Sequence, residues 1–415
     1  MNVLVVGLGK LGLPLAAVFA DSGHDVLGFD TSEILIERLQ SHSYISGEPG
    51  LTNLLNKNLS NLTFVNKLSK KILENIEIIF VIVPTPSLPD GKFSNRFLLE
   101  ALENLTPMLQ EKNLKTVVCI VSTVMPKSCD EEIKNSIESN LKRKFDDTIG
   151  ICYHPEFIAL GSVVKNLKFP DFHLIGSSQK WAADILEKFL ATTTDIEVPC
   201  IRLSLLEAEI VKLAINNFIT MKISFANSIM QLAENLGEVD IDRTMQAIGL
   251  DSRIGSKYIK ASVPYGGPCF PRDTRAMTQL FEEAGILNYF SKTSELINTS
   301  HQTFLVNKIL RKIESNQTVG ILGISYKQGT DVIDDSPSVM IMNNLMINGA
   351  KVFCWDDEGA LYPNNKDLNL SFDEILCNAD IFVFTRSIKN LENVKTKILE
   401  MGKEYIDLWE NINTH

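Results

Sequence analysis

The residues best suited to chemistry lie in one run, Gly266-Gly267-Pro268-Cys269-Phe270-Pro271-Arg272-Asp273-Thr274. A thiol follows a Gly-Gly-Pro turn, and a basic and an acidic residue stand three and four positions beyond it. A thiolate can trap an aldehyde covalently and carry it on to an acid, a step that simple alcohol oxidation does not need. Cys269 is one of seven cysteines, so its significance depends on what the rest of the chain places around it.

The amino-terminal end supplies a hydride acceptor's binding site. Gly7-Leu8-Gly9-Lys10-Leu11-Gly12 is a GxGxxG run that follows the strand-like Val3–Val6 and opens a helix. Glycines there let the backbone turn tightly and approach a pyrophosphate, which rests on the helix amino terminus. Asp30 ends the next apolar run. A carboxylate at that place accepts hydrogen bonds from both ribose hydroxyls and repels a 2′-phosphate, which favours NAD over NADP. Thr85 in Pro84-Thr85-Pro86 and Thr123 in Ser122-Thr123-Val124 end two further apolar runs. Ligands of open α/β sheets bind outside the carboxyl ends of strands, so both threonines are placed to line the nicotinamide half.

Lys212 and Asn216 are four residues apart in a long apolar helical stretch and share one face. They form either a polar pocket or a solvated stripe. Glu156, in Tyr153-His154-Pro155-Glu156-Phe157, follows a strand near the same sheet edge, where a loop glutamate is the plainer reading.

The elements that must position these groups follow from periodicity. Val3–Val6, Asp25–Asp30, Ile78–Val83 and Thr116–Val121 read as strands separated by amphipathic stretches, with further strands at Ile149–Tyr153 and Phe172–Gly176. Alternation of this kind predicts a parallel sheet with helices on both faces. From Ser204 to Asn235 apolar residues recur at helical spacing without Gly or Pro. About 30 residues at 1.5 Å rise give a helix of roughly 45 Å, suited to joining two domains or to a dimer interface. After Lys312 the alternation returns, with strands at Thr318–Ile324, Lys351–Trp355 and Ile381–Thr385 and a helix at Pro337–Asn348. The fold class is therefore α/β, with two Rossmann-like doubly wound domains joined by a long central helix and a helical region. Three segments are expected: 1–200 for the cofactor, 201–300 carrying the cysteine loop, and 301–415 as a second α/β domain.

Composition bounds the function class. At 415 residues, with 45% hydrophobic and 22% charged residues, the chain has the make-up of a multidomain globular protein. A net charge of −11 argues against a general nucleic-acid binder. The cysteines are scattered with no CxxC pair, so neither a zinc site nor a disulfide framework is expected, and no metal is called for. The chain opens on a strand without a basic, apolar leader, and no apolar run reaches the ~18–20 residues of a membrane span. A cytoplasmic protein with no membrane partner is the expectation.

Taken in order, these runs resemble the nucleotide-sugar 6-dehydrogenases, the UDP-glucose/GDP-mannose dehydrogenase family. The likeness covers nearly the whole chain. It runs through the glycine turn, Pro84-Thr85-Pro86, Ser122-Thr123-Val124, His154-Pro155-Glu156-Phe157 and Lys212-x3-Asn216. It continues through Gly249–Gly255, Tyr265–Asp273 and Gly323-Ile324-Ser325-Tyr326-Lys327. The resemblance implies NAD-dependent, four-electron oxidation of a nucleotide sugar at C6, with UDP-glucose to UDP-glucuronate as the default, feeding polysaccharide synthesis. A primary alcohol becomes an aldehyde, then a thiohemiacetal and a thioester on Cys269, and water releases the acid. By the same resemblance Lys212 and Asn216 stabilise the oxyanion, Asp273 and Lys212 organise a water, and Glu156 is the base for thioester hydrolysis. Thr123 joins the catalytic set. Lys10, Leu11, Glu156 and Arg272 join the cofactor contacts. Phe157, Tyr258, Tyr265 and Gly266 line the sugar pocket with Lys212 and Asn216, Lys327 reaches the diphosphate or sugar, and Arg253 acts across a homodimer built on the long helix.

Three positions depart from the family's pattern. A lysine is replaced by Arg272, a glutamate by Leu160, and the arginine of the Asp-x-Arg-x-Ser-Pro run by Asp334, which would repel a pyrophosphate. Two other function classes compete. One is a two-electron hydroxyacid or phosphogluconate-type dehydrogenase, which needs no cysteine. The other is a non-catalytic nucleotide-sugar-binding protein.

Overall fold

The structure is a computed structural model that describes residues 1–142, 144–145, 148–314 and 316–410. The chain divides into two compact units, Met1–Leu213 and Ala214–His415. The division falls inside the long helix, Leu205–Leu236.

The first unit is built on eight strands: β1 (Asn2–Val6), β2 (Asp25–Phe29), β3 (Leu62–Val65), β4 (Ile78–Val81), β5 (Thr116–Ile120), β6 (Ile149–Tyr153), β7 (His173–Ser177) and β8 (Cys200–Leu203). Their order is β3-β2-β1-β4-β5-β6-β7-β8. The chain order reverses between β1 and β4, which is a topological switch point, the place where such sheets bind ligands. Every residue of β4, β5 and β6 is buried. Continuous apolar strands of this kind are the mark of a parallel sheet covered on both faces. The helix that follows β1, α1 (Gly12–Asp21), is buried from Gly12 to Ala20, so it has no solvent face to pattern.

Two features differ from the sequence expectation. The sheet is mixed: β7 runs antiparallel to β6, pairing Cys152 with Ser177 and Tyr153 with Gly176. An antiparallel neighbour needs no crossover from one end of the sheet to the other, and here the connection carries the helix Val163–Lys168. The strands β3 and β8 were not anticipated: β8 is only partly buried and carries Arg202, and β3 includes an exposed residue, so neither forms the continuous apolar run that marks β4.

The second unit contains the rest of the long helix and the helices Ile241–Leu250, Phe270–Glu283 and Tyr289–Leu310. Four parallel strands follow: β9 (Thr318–Leu322), β10 (Lys351–Trp355), β11 (Ile381–Phe384) and β12 (Glu404–Asp407), in the order β10-β9-β11-β12. One apolar cluster contains Ala226, Met230 and Met245 from the helices, Leu305 and Ile309 from the last helix, and Val319, Ile321 and Val383 from the sheet. A shared core of this kind makes the helical segment and the second sheet one body.

Candidate active site

The glycine turn after β1 is fixed by close backbone contacts. Gly7 has φ +92°, and a Cβ on it would lie 2.2 Å from the Ile82 carbonyl oxygen. A Cβ on Gly12 would lie 1.8 Å from the Gly7 carbonyl oxygen, so only glycine fits at either place. Gly9 differs: a Cβ there would meet nothing within 4 Å. Its bare backbone faces open space, as close approach by a pyrophosphate requires. Leu11 precedes α1 without a side-chain cap, the Leu13 N–H turns back to the Gly9 carbonyl at 3.2 Å, and the partial positive charge of the helix amino end faces the space where an anion would rest. Lys10 is exposed beside them. Asp30 accepts from the N–H of Leu8 at 2.8 Å and of Ser32 at 2.9 Å. Its oxygens keep lone pairs for ribose hydroxyls. These residues fit a dinucleotide.

The loops after β4 and β5 are laced together. The Thr85 hydroxyl donates to the Thr123 carbonyl at 2.7 Å. The Ser122 hydroxyl donates to the Val83 carbonyl at 2.7 Å and accepts from the Val83 N–H at 2.9 Å. Sequence reasoning singled out Thr123 and passed over Ser122, which fixes the loop that Thr123 stands on.

The first turns of the long helix face the loop after β6. Lys212 is buried, 7% exposed, which rules out the solvated stripe. Its Nζ donates to the Glu156 carbonyl oxygen at 2.7 Å and lies 4.9 Å from the centre of the Phe157 ring. The Glu156 carboxylate lies 3.2 Å from Nε2 of His154, whose Nδ1 meets the Leu174 carbonyl at 2.8 Å. Burial disfavours a charged His154, but the Glu156 carboxylate and the Leu174 carbonyl prevail and raise its pKa above the ordinary histidine value. Glu209, three residues before Lys212, was not anticipated. It is fully buried and accepts from the N–H of Lys127 at 2.6 Å and of Cys129 at 2.8 Å. Nothing in a helical glutamate's sequence context signals that role. Leu160 packs against the apolar core of this unit. Nearby, Glu48 accepts from the N–H of Gly161 at 2.8 Å and of Val163 at 2.6 Å.

In the second unit Cys269 immediately precedes the helix Phe270–Glu283 and is exposed. Asp273 stands in that helix's first turn, 1% exposed. The Asn216 side chain donates to it at 2.6 Å, and the Arg272 Nε–H donates to its other oxygen at 3.2 Å. Lys212 and Asn216 are one turn apart on one helix, so the pair the sequence picked out is buried at both positions.

The remaining positions lie in the second unit. Tyr265 is buried, with its backbone tied to the side chain of Asn298 in both directions, at 2.8 and 2.9 Å. Burial raises its phenol pKa above the ordinary value. Asn298 was another residue not anticipated. Tyr258 adopts φ +64° and presents its half-exposed ring edge-on to Phe270 at 6.4 Å. A Cβ on Gly266 would strike the Asp335 carbonyl oxygen at 2.2 Å, and one on Gly267 would strike the Tyr326 ring at 2.5 Å. The turn is therefore seated on the segments that follow β9. Lys327 is half-buried in the first of these. Asp334 is exposed, and its neighbour Asp335 meets Arg275 at 3.3 Å. Arg253 is exposed and turns to its own Asp251 at 2.6 Å.

Sheet, switch point and glycine turn define a dinucleotide-binding α/β protein. Comparison with known proteins narrows this. Residues 1–194 match the NAD binding domain of the UDP-glucose/GDP-mannose dehydrogenase family, and residues 206–300 match its central domain. The UDP-glucose 6-dehydrogenase of Rickettsia bellii is 31% identical over 368 residues, covering 86% of this chain and 81% of its own. A UDP-glucose dehydrogenase structure from Pyrobaculum islandicum superposes with a TM-score of 0.86 at 28% identity, covering 99% of this chain and 94% of its own. A UDP-D-ManNAc dehydrogenase from Pyrococcus horikoshii shares the fold, with a TM-score of 0.79 at 23% identity, covering 98% and 95%. The chain belongs to the UDP-glucose/GDP-mannose dehydrogenase family, and its cofactor is NAD. Among the described residues, no helix is long and apolar enough to cross a membrane.

Proposed function

We propose that the chain oxidises the C6 hydroxymethyl group of a nucleotide sugar to a carboxylate, with UDP-glucose as the first substrate to test. The observation that carries this reading is the buried hydrogen bond from Asn216 to Asp273 at the start of the cysteine helix. A charged carboxylate there needs partners, and Asn216 and Arg272 provide them one turn beyond the thiol.

Bound NAD⁺ supplies the hydride acceptor, used twice per substrate. Lys212 and Asn216 donate to the oxygen that gains charge as the alcohol is oxidised. Asp273, with Lys212, holds a water that takes the hydroxyl proton. The Cys269 sulfur adds to the aldehyde carbon and its proton passes to the new hydroxyl, giving a thiohemiacetal. Loss of a second hydride and of that hydroxyl proton leaves a thioester. Glu156 then takes a proton from the attacking water, and the C–S bond breaks to return the thiol and release the acid. Thr123 stands on the nicotinamide side with Thr85. Phe157, Tyr258, Tyr265 and Gly266 shape the sugar site, and Lys327 meets the diphosphate. The helix amino end beside Cys269 favours a thiolate.

A homodimer on the long helix completes the reading, with Arg253 turned from Asp251 to a neighbour's substrate. Phe218, Phe225, Leu232 and Leu236 support it: they are spaced by seven, seven and four residues and are all exposed by about half or more, Phe218 by 58% and Leu236 by 71%. Such a stripe calls for a covering surface.

The test is stoichiometry. NADH release is followed across UDP-, GDP-, CDP- and dTDP-hexoses, and the turned-over substrate should yield two NADH. Cys269→Ala should bind both ligands and release no acid. One NADH per substrate with Cys269→Ala still active would mean two-electron chemistry. Tight binding without turnover would mean a binding protein.

A further inference from the structure

The carboxyl edge of the second sheet repeats the layout of the first. Gly323 turns the chain after β9 at φ +89°, as Gly7 does after β1 at φ +92°. Each donates its N–H at 2.8 Å to the last residue of the neighbouring strand, Trp355 in one case and Phe29 in the other. The residue after that strand is an aspartate both times, Asp356 and Asp30.

From there the two edges differ. One oxygen of Asp356 accepts from the N–H of Ile324 at 2.7 Å and of Ser325 at 2.8 Å. The other accepts from Glu358 at 2.8 Å and Ala360 at 3.3 Å. The carboxylate is wholly buried, and a buried charge needs an opposite one. Arg386, from the loop after β11, provides it: its Nη2 donates to Asp356 at 2.9 Å and to Asp357 at 2.6 Å, and its Nη1 donates to the Ser387 carbonyl at 2.7 Å. Asp357 also accepts from the Lys389 N–H at 2.6 Å. The arginine stem fills the space at Gly323, where a Cβ would lie 2.7 Å from its Cγ. The loops after β9, β10 and β11 are thus fastened at one point.

Two groups hang from that point. Tyr326 and Lys327 directly follow Ser325, and the Tyr326 ring lies against Gly267, two residues before Cys269. We propose that Asp356 and Arg386 are a positioning pair that sets both Lys327 and, through Tyr326, the turn carrying Cys269. The proposal rests on the reading of Lys327 and Cys269 given above.

Arg386→Met, Arg386→Lys and Asp356→Asn in the full chain test it. Cys269 alkylation by iodoacetamide is measured by peptide mapping, with the exposed Cys377 as internal reference. KM and kcat for the nucleotide sugar, and NAD⁺ affinity, are measured alongside. The expectation for Arg386→Met is a roughly tenfold rise in KM and a change of about threefold or more in the Cys269-to-Cys377 rate ratio. NAD⁺ affinity stays within about twofold, and Arg386→Lys recovers part of both losses. If Arg386→Met does not fold, the other two variants carry the same readouts. Unchanged KM and rate ratio in folded variants would overturn the pair's role. If the parent protein turns over no nucleotide sugar, the functional reading fails, while the alkylation ratio still decides on the pair.

Discussion

The two sheets start from one local design and use its acid differently. In the first, Asp30 accepts two backbone N–H bonds and stays half-exposed at the switch point. In the second, Asp356 accepts four and is sealed beneath Arg386. An aspartate left open can take ribose hydroxyls; one neutralised by a buried guanidinium can only hold loops. The same turn therefore makes a binding edge in one unit and a rigid support in the other, and the deciding residue lies 30 positions from Asp356 in sequence. The second edge also lacks the bare backbone of Gly9, since Ser325 occupies the corresponding place after Gly323-Ile324.

Alanine at the two turning glycines gives the largest expected effect. Gly7→Ala forces a positive φ and a Cβ into the Ile82 backbone, and should cost about 4 kcal/mol or more or prevent folding. Gly323→Ala meets the stem of Arg386 instead, which can move, so its cost should be smaller, about 2 kcal/mol. Urea denaturation of both measures this. Equal costs would mean that the turns are held equally tightly, contrary to the contrast drawn here.

Acid gives the next expected effect. His301, in the second unit, is fully buried, with Nε2 donating to the Ser262 carbonyl at 2.6 Å and Nδ1 accepting from Gln231 at 3.0 Å. Burial lowers its pKa from 6.5 to about 4. The unfolded ring takes a proton as pH falls through 6.5, the folded ring only near 4, so stability is lost across that window. The loss is at most roughly 3 kcal/mol. In the first unit His173 is also lowered to about 4, by burial and by His154, and burial lowers His24. There, however, His154 and Glu209 are both raised, and each gains stability on acidification. His301→Gln should flatten the pH dependence of urea stability between pH 7 and 5; an unchanged slope would remove His301 from the account.

What the sequence disclosed, and what it concealed, follows the same division. The glycine turn, Asp30 and the cysteine run were legible because backbone geometry and thiol chemistry restrict which residues can stand there. The long helix was legible from its period, and its ends fell within one residue of those read from the sequence. Strands β3, β8 and β12 were not, being short and only partly buried, whereas the equally short β4 and β11 are wholly buried apolar runs. Nor was the reversal at β7, which depends on where the chain crosses the sheet. Asp356 and Arg386 are brought together only because β10 and β11 flank β9, and Glu209 reaches amides some 80 residues earlier. Long-range polar pairs of this kind leave no local pattern, so the open acid could be read and the sealed one could not.

A subtler test of the contrast compares Asp30→Asn with Gly9→Ala. Asparagine keeps one acceptor for the Leu8 or Ser32 N–H but loses the charge and an acceptor for the ribose. NAD⁺ affinity should fall about tenfold, or ~1.4 kcal/mol, and discrimination against NADP⁺ should weaken because a 2′-phosphate is no longer repelled. Gly9→Ala meets no protein atom within 4 Å, so folding stability should change by less than ~1 kcal/mol. Any methyl there projects toward the space a pyrophosphate would take, so NAD⁺ binding should weaken while the urea midpoint stays put. Calorimetric titration with both cofactors, beside denaturation of each variant, separates the two effects. If Gly9→Ala bound NAD⁺ as well as the parent does, the open space above that residue would not be where the cofactor comes close, and the first sheet's edge would have to be read afresh from Asp30 alone.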